Sequence, residues 1–300
     1  MRRREFIAAL VATGVLTACG RRITGKRVGV ALGGGGAKGF AHVPLLEVFD
    51  ELGIRPYRIA GTSVGTIIGS LYAAGMSGKA IRQMLDNLTV SSDESWLHSL
   101  LNEDVSRWLD FIEPRLGHGG LISADTFITY LMSHLKVSRF EDLRIPMKIV
   151  ATDFWKREQV VLESGNLLMA IKASMAIPGL FNPVEYRGRV LVDGGLVNPV
   201  PYDLLFDECD VVVAINVLGE RTPAGDNSPG YFETTFNTFQ ILQSSILNEK
   251  MKQRRPDIYI RPDIRDIRVL EFYKIQKIYQ QTEKARHELY DKLRPYRTTS

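Results

Sequence analysis

The sequence predicts one α/β domain: a three-layer α/β/α arrangement around a central, largely parallel sheet with helices on both faces. Three observations carry this. Strand-like and helix-period runs alternate along the chain with no clean break in composition. The strand-like runs are close to continuously apolar, as strands covered on both faces are. Twice, close together, a short strand leads through a glycine-rich turn into a helix. The first turn is Gly33-Gly34-Gly35-Gly36-Ala37-Lys38-Gly39 and the second is Gly61-Thr62-Ser63-Val64-Gly65.

The elements follow in order. Residues 1–18 read as a signal peptide of the lipoprotein type. Arg2-Arg3-Arg4 supply a positive start, Phe6 to Leu16 a short apolar stretch, and Leu16-Thr17-Ala18-Cys19 resembles a bacterial lipobox. That resemblance implies diacylglycerol on Cys19, with residues 19–26 as a basic tether. Arg3-Arg4-Glu5-Phe6-Ile7 also resembles a twin-arginine signal. Arg27 to Leu32 is the first strand, and Phe40 to Leu52 a helix stopped by Gly53. Tyr57 to Ala60 ends a second strand at the Ser63 turn, and Val64 to Ala74 is a buried helix with Gly65, Gly69 and Ala73 on a small-residue face. Ser77 caps a helix from Gly78 to Asn87.

Further on, Trp96 to Ile112 is amphipathic and fits either a core-packed helix or a lid that touches lipid; Gly117 to Gly120 is a loop, and Ser123 begins the next helix. Pro146 to Phe154 is a strand, Gln159 to Glu163 a hairpin arm, and Leu167 to Ala176 a short helix ended near Pro178. Val184 to Val192 is a hairpin turning at Arg187-Gly188 and running into Asp193-Gly194-Gly195. Asp210 to Val217 is a strong strand, Thr222 to Gly230 a polar mobile loop, Phe232 to Lys252 a helix, Ile258 to Ile260 a last strand, and Val269 to Leu293 a charged amphipathic helix.

Composition narrows the function. The chain has 300 residues, 45% of them hydrophobic and 24% charged, which gives ample core material. A net charge of +4 is too mild to argue for nucleic acid. Of the two cysteines, Cys19 is the lipidation candidate and Cys209 reads as a buried, inert thiol; neither has metal-ligand spacing.

The turn at Ser63 is a G-x-S-x-G, the pattern that holds a serine hydroxyl exposed at a sharp strand-to-helix bend. The four-glycine run offers unhindered backbone N–H groups and a helix start, which suit the negative charge that develops on an ester carbonyl under attack. A serine also needs a base. The five histidines are His42, His98, His118, His134 and His287, and none sits where a strand meets a turn. Asp193 does. Its carboxylate projects from a tight turn at a strand end, and it becomes an adequate base if desolvated and within reach of the hydroxyl.

Together these motifs resemble the patatin-like phospholipase family, serine lipid acyl hydrolases that use a Ser–Asp dyad. The stretch Ala173 to Val184 is also similar to the family's segment ahead of the dyad aspartate. The resemblance is strongest over 27–217 and implies a patatin-like domain over 27–300. It implies Ser63 as nucleophile, Asp193 as base, and N–H groups of Gly34, Gly35 and Gly36 as the oxyanion hole. Lys38 and Gly39 complete the substrate-binding loop, with Lys38 a candidate to face a phosphate. Gly61, Gly65, Gly194 and Gly195 are motif glycines. The implied reaction is phospholipase A or lysophospholipase hydrolysis through an acyl-enzyme, with no metal or organic cofactor, a membrane lipid or lysolipid as substrate, and a place in the bacterial cell envelope facing the periplasm. Gly20 after Cys19 is not an aspartate retention signal, which favours the outer membrane. The alternatives are a Ser-His-acid esterase, a nucleotide-binding domain read from Gly34-x-Gly36-x-x-Gly39, and a non-catalytic envelope lipoprotein that binds lipid or a partner.

Overall fold

A computed structural model describes residues 25–89, 133, 135, 137–220, 231–269 and 271–297. The expected signal peptide over 1–18, Cys19, the 96–112 segment, the loop expected at 117–120 and the helix start expected at Ser123 lie outside the described residues. So do His98, His118, His134 and the 222–230 loop.

Eight strands form one sheet: β1 (Val28–Leu32), β2 (Arg58–Thr62), β3 (Met147–Asp153), β4 (Glu158–Leu162), β5 (Val184–Tyr186), β6 (Arg189–Asp193), β7 (Val211–Ile215) and β8 (Ile258–Ile260). Hydrogen bonding runs β5-β6-β3-β2-β1-β7-β8, with β4 also on β3. β3, β2, β1, β7 and β8 are mutually parallel, and β4 and β6 run antiparallel to β3. Fully buried runs such as Val28–Leu32 and Val211–Ile215 build its centre, as a sheet covered on both faces requires.

Among the described residues, helices α1 (His42–Glu51), α2 (Val64–Ala73), α3 (Gly78–Thr89), α4 (Leu167–Met175), α5 (Tyr231–Gln253) and α6 (Ile275–Leu293) cover the two faces unequally. The larger core joins Val28, Val30, Leu32, Ile59 and Ile149 of the sheet to buried residues of α1, α2, α3, α4 and α6. The alternate sheet residues Ala31, Ala60, Val212 and Ala214 face a thinner layer of Tyr202, Leu205 and Leu247 of α5. Cys209 belongs to that thinner layer, unpaired, with its thiol pushed up to about 11 by burial, and is therefore inert as a nucleophile.

Two boundary differences bear on the glycine turn. The chain from Gly36 to Ala41 is a 3-10 turn feeding α1, so the helix proper starts at His42. The last helix starts at Ile275 rather than Val269. The Val269 carbonyl accepts the Ala37 N–H at 2.8 Å, so the backbone there is committed to the first glycine turn.

β3 has two edges to offer. Ile149 to Asp153 pair with β4 on one edge. The other edge is shared. Ile149 and Val150 lie opposite Gly61 and Thr62 of β2, while Ala151 to Asp153 lie opposite Asp193, Val192 and Leu191 of β6. β2 and β6 therefore arrive from opposite directions and stop head to head beside consecutive residues of one strand.

The bend after β2 works only with glycines. A Cβ on Gly65 would lie 2.2 Å from the Leu32 carbonyl oxygen, because α2 starts against the end of β1. Replacing Gly65 with alanine is expected to lower stability by about 3 kcal/mol or more. Gly53, at φ +65 with open space around its missing Cβ, should lose only about 1 kcal/mol as alanine. Urea melts of the two variants check the contrast, and equal losses would refute the packing argument.

Candidate active site

Ser63 stands between β2 and α2 with φ 54 and ψ −127, a left-handed backbone for a residue with a side chain. Such a conformation costs on the order of 1–3 kcal/mol and persists only where the surroundings fix it. Here they do. The Ser63 N–H donates to Ser174 Oγ at 2.9 Å, and Ser174 Oγ also meets Thr66 Oγ1 at 3.1 Å. The Thr62 hydroxyl donates to the Asn198 carbonyl at 2.8 Å. Gly61 is needed because a Cβ there would crowd the Thr66 backbone at 2.9 Å.

Asp193 ends β6 and reaches the same place. Its N–H donates to the Ala176 carbonyl at 2.9 Å, and its own carbonyl accepts from the Thr152 hydroxyl at 2.8 Å. The end of α4 thus holds both chain segments, Ser63 through Ser174 and Asp193 through Ala176. Asp193 Oδ1 accepts the Gly195 N–H at 2.6 Å. Gly194 must be glycine because a Cβ would lie 2.2 Å from the Val150 carbonyl oxygen. At Gly195 a Cβ would meet Gln243 Nε2 at 2.2 Å, so the turn lies flat against α5.

Burial pushes the Asp193 carboxyl up to about 6, against the lowering influence of the Ser63 hydroxyl and the Gly195 N–H. Oδ2 is buried and makes no hydrogen bond within normal distance and angle limits. The hydroxyl is thus near enough to act electrostatically but does not complete a hydrogen bond to Oδ2. Catalytic contacts are commonly this loose in unliganded proteins.

The first glycine turn lies alongside. A Cβ on Gly34 would sit 3.2 Å from Ser63 Cβ. The Gly34 N–H, however, donates to the Pro199 carbonyl at 3.0 Å and is not available to a substrate oxygen. That removes it from the three expected donors. Among the described residues the N–H groups of Gly35 and Gly36 make no backbone hydrogen bond, and both residues line the cleft with Ser63 and Asp193. Gly36 holds φ +58 with the Val269 carbonyl 2.4 Å from where a Cβ would stand.

Two further expectations are corrected. Lys38 does not face a phosphate. It is 2% exposed, its stem packs on Gly219, and it does not line the cleft. The 3-10 turn tucks it inward. Gly39 is a packing glycine rather than a substrate contact, since a Cβ there would lie 2.0 Å from a Val64 methyl. Of the histidines, His42 is fully buried, and burial lowers its imidazole to about 4. The neutral ring donates from Nε2 to the Gly33 carbonyl at 2.8 Å and so braces the glycine turn. His287 lies on the exposed face of α6, far along the chain from the site.

The cleft wall contains residues that the sequence reading missed. Ile177, Pro178, Leu196, Phe236, Phe239 and Val269 make it apolar, with Gln240 and Gln243 as polar groups. Phe236, Phe239, Gln240 and Gln243 share one face of α5 by their 3,4 spacing. Lys250 anchors that helix by donating to the Asn198 side chain, to the Val200 carbonyl and to Asp203. No group of acidic, histidine or cysteine side chains able to hold a metal occurs among the described residues.

A strained serine at a strand end, a buried carboxylate and two open glycine amides thus line one cleft. The chain belongs to the patatin-like phospholipase family, whose model matches residues 30–206. It is 34% identical over 211 residues to an uncharacterized NTE family protein of Mycobacterium tuberculosis (strain ATCC 25618 / H37Rv), covering 70% of this chain and 54% of that one. It is 29% identical over 284 residues to the lysophospholipase nte1 of Aspergillus fumigatus, covering 87% of this chain and 18% of that one. The chain thus spans about half the length of the mycobacterial relative and less of the fungal one. The crystal structure of VipD from Legionella pneumophila overlays with a TM-score of 0.49 at 13% identity, covering 89% of this chain and 67% of that one.

Two expected outcomes follow from this geometry. Ser174→Ala strands the buried Ser63 N–H and should cost about 1–3 kcal/mol, read as a lower unfolding midpoint. The Asp193 carboxyl is raised in the folded chain, so its contribution to stability is greatest below the unfolded value near 4 and is lost as pH rises through about 6. Asp193→Asn should therefore gain on the unsubstituted protein by on the order of 3 kcal/mol between pH 4 and pH 7. A gap that does not change with pH would show that Asp193 is not desolvated.

Proposed function

We propose that this protein is a serine acyl hydrolase of lipid carboxylic esters, of phospholipase A or lysophospholipase type. The observation that carries the reading is the meeting of Ser63 and Asp193, both 4% exposed, at the floor of an apolar cleft beside the Gly35 and Gly36 amides. The family relation supports the same substrate class.

In the proposed reaction, Asp193 Oδ2 takes the Ser63 proton as Oγ attacks the ester carbonyl carbon. The Gly35 and Gly36 N–H groups receive the developing oxyanion. The proton passes from Asp193 to the departing alcohol, leaving Ser63 acylated. Water then gives a proton to Asp193 and attacks the acyl carbon, and Ser63 leaves with the proton returned. The acyl chain lies along Ile177, Leu196, Phe236 and Phe239. Burial serves this chemistry, since a carboxylate with a pKa near 6 is a better base than one near 4 and is still ionised at neutral pH. A lipid-modified Cys19, with residues 19–26 as tether, would hold the domain on the periplasmic side of the envelope.

Ser63→Ala and Asp193→Asn are each expected to lower hydrolysis of a soluble ester by at least about a thousandfold. Retained activity in either variant would reject the dyad. The base must be ionised, so kcat/KM should rise with pH and level off above about 6. A profile flat from pH 4 to 8 would exclude Asp193 as the base. Failure of a fluorophosphonate probe to label Ser63 would instead favour the non-catalytic lipoprotein.

A further inference from the structure

The turn between β3 and β4 exposes two aromatic side chains, Phe154 at 46% and Trp155 at 74%. They are packed on each other edge to face with ring centroids 4.9 Å apart. This exposure is built in. The buried Asp153 carboxylate accepts the N–H groups of Trp155 and Lys156 at 3.1 and 3.0 Å, and its carbonyl accepts the Arg157 N–H at 2.8 Å. The Phe154 N–H is fixed to the Val190 carbonyl at 2.9 Å. All four amides of the turn are held, so the rings project from a rigid knuckle.

Position gives the knuckle meaning. Asp193 lies opposite Ala151, and β3 runs on past it to Asp153 before turning. Phe154 is three residues beyond the dyad, about 10 Å farther along the strand, in the direction in which β2 delivers Ser63. Basic groups flank the rings. Lys156 is exposed, with only a 3.9 Å pair to Glu158. Arg157 is exposed and has no acidic partner among the described residues. Of the nearby acids, Asp153 is buried, and Glu158 is also engaged by Arg189 at 3.3 Å.

The geometry points to the Phe154–Trp155 knuckle as a docking point for a bilayer that contains anionic lipid. The rings enter the interfacial region, and Lys156 and Arg157 meet lipid phosphates. The Trp155 ring, with its polar N–H, favours that depth, Phe154 adds apolar area, and basic residues add attraction to an anionic surface. Docking in this way sets the mouth of the cleft at the surface that holds its substrate. The inference rests on the lipid-ester reading of the site, and the test separates the two.

The test uses the full chain carrying Cys19→Ser, Ser63→Ala, Trp96→Phe and Trp108→Phe, so that Trp155 is the sole emitter and no lipid is anchored or consumed. Vesicles of phosphatidylcholine, with and without phosphatidylglycerol, carry brominated acyl chains. Trp155 emission should shift to the blue and be quenched, more with phosphatidylglycerol and less at high salt. With Ser63, Trp96 and Trp108 intact, Phe154→Ala/Trp155→Ala should lower hydrolysis of vesicle lipid about tenfold or more while leaving a soluble short-chain ester unaffected. Lys156→Glu/Arg157→Glu should weaken binding to the anionic vesicles alone.

Trp155 emission that vesicles leave unchanged would overturn the docking proposal, even with full activity on the soluble ester. Emission already blue in buffer, with a dimer that Phe154→Ala/Trp155→Ala dissolves, would overturn it in favour of a second copy as the occupant. Quenching of Trp155 in a protein whose Ser63-intact form cleaves no ester would support docking and sink the hydrolase reading.

Discussion

The site depends on a constraint of strand pairing. A strand has two edges, and on β3 one is taken by β4. The other is divided between β2 and β6, which enter from opposite ends and stop at Val150 and Ala151. Ser63, one residue past Thr62, and Asp193, the last residue of β6, are thereby brought to the same place by register, and the end of α4 holds them there. The glycines are consequences of the same meeting. Gly61 and Gly65 let α2 leave at once, and Gly194 lets β6 end against the Val150 carbonyl.

Bringing a carboxylate to that junction removes it from water, and the sheet offers little in return. Oδ1 receives one N–H, from Gly195, and Oδ2 none. A carboxylate with two or three such donors would be far more stable as an anion and a worse base. The surrounding hydrogen bonds instead hold the main chain. Ser174, Ala176 and Thr152 fix the backbone of the two segments, the Asn198 carbonyl takes the Thr62 hydroxyl, and the reacting oxygens stay nearly free. The fold thus spends its polar contacts on position and leaves the electrostatics of Asp193 to burial.

What could be read from the sequence divides along this line. The bend at Ser63, the hairpin at Arg187-Gly188 and the turn after Asp193 are local, written in glycine spacing and alternation, and they stand where the pattern put them. The features that escaped are set by distant partners. Lys38 follows glycines at a helix start and looks like a surface lysine, yet the 3-10 turn points it toward Gly219. Gly34 looks like its neighbours, but Pro199, from the segment that follows β6, takes its N–H. Val269 has helical periodicity on its C-terminal side, yet it sits in a turn closed by the Glu271 N–H on the Arg268 carbonyl at 3.2 Å, and its own carbonyl is taken by Ala37. The cleft wall on α5 was hidden because that helix is mostly exposed and carries no clean apolar stripe, so Phe236 and Phe239 did not stand out from its other apolar residues.

The two buried titratable groups at the site oppose each other in a way that separates activity from stability. Below pH 6 the folded chain keeps a proton on Asp193, whereas the unfolded chain holds it only below about 4. His42 is reversed: the folded chain keeps it neutral down to about 4, and the unfolded chain protonates it near 6.5. Between pH 4 and 6, folded and unfolded states therefore each carry one proton on this pair, on different residues. Stability changes with pH only through a difference in bound protons, so the two shifts of similar size cancel in that window. The proposed base loses its charge there while the pair leaves stability flat with pH. Both groups are held neutral at a cost, and what cancels is the change of that cost with pH, not the cost itself. The His42 ring contributes separately, through the hydrogen bond that holds the Gly33 carbonyl.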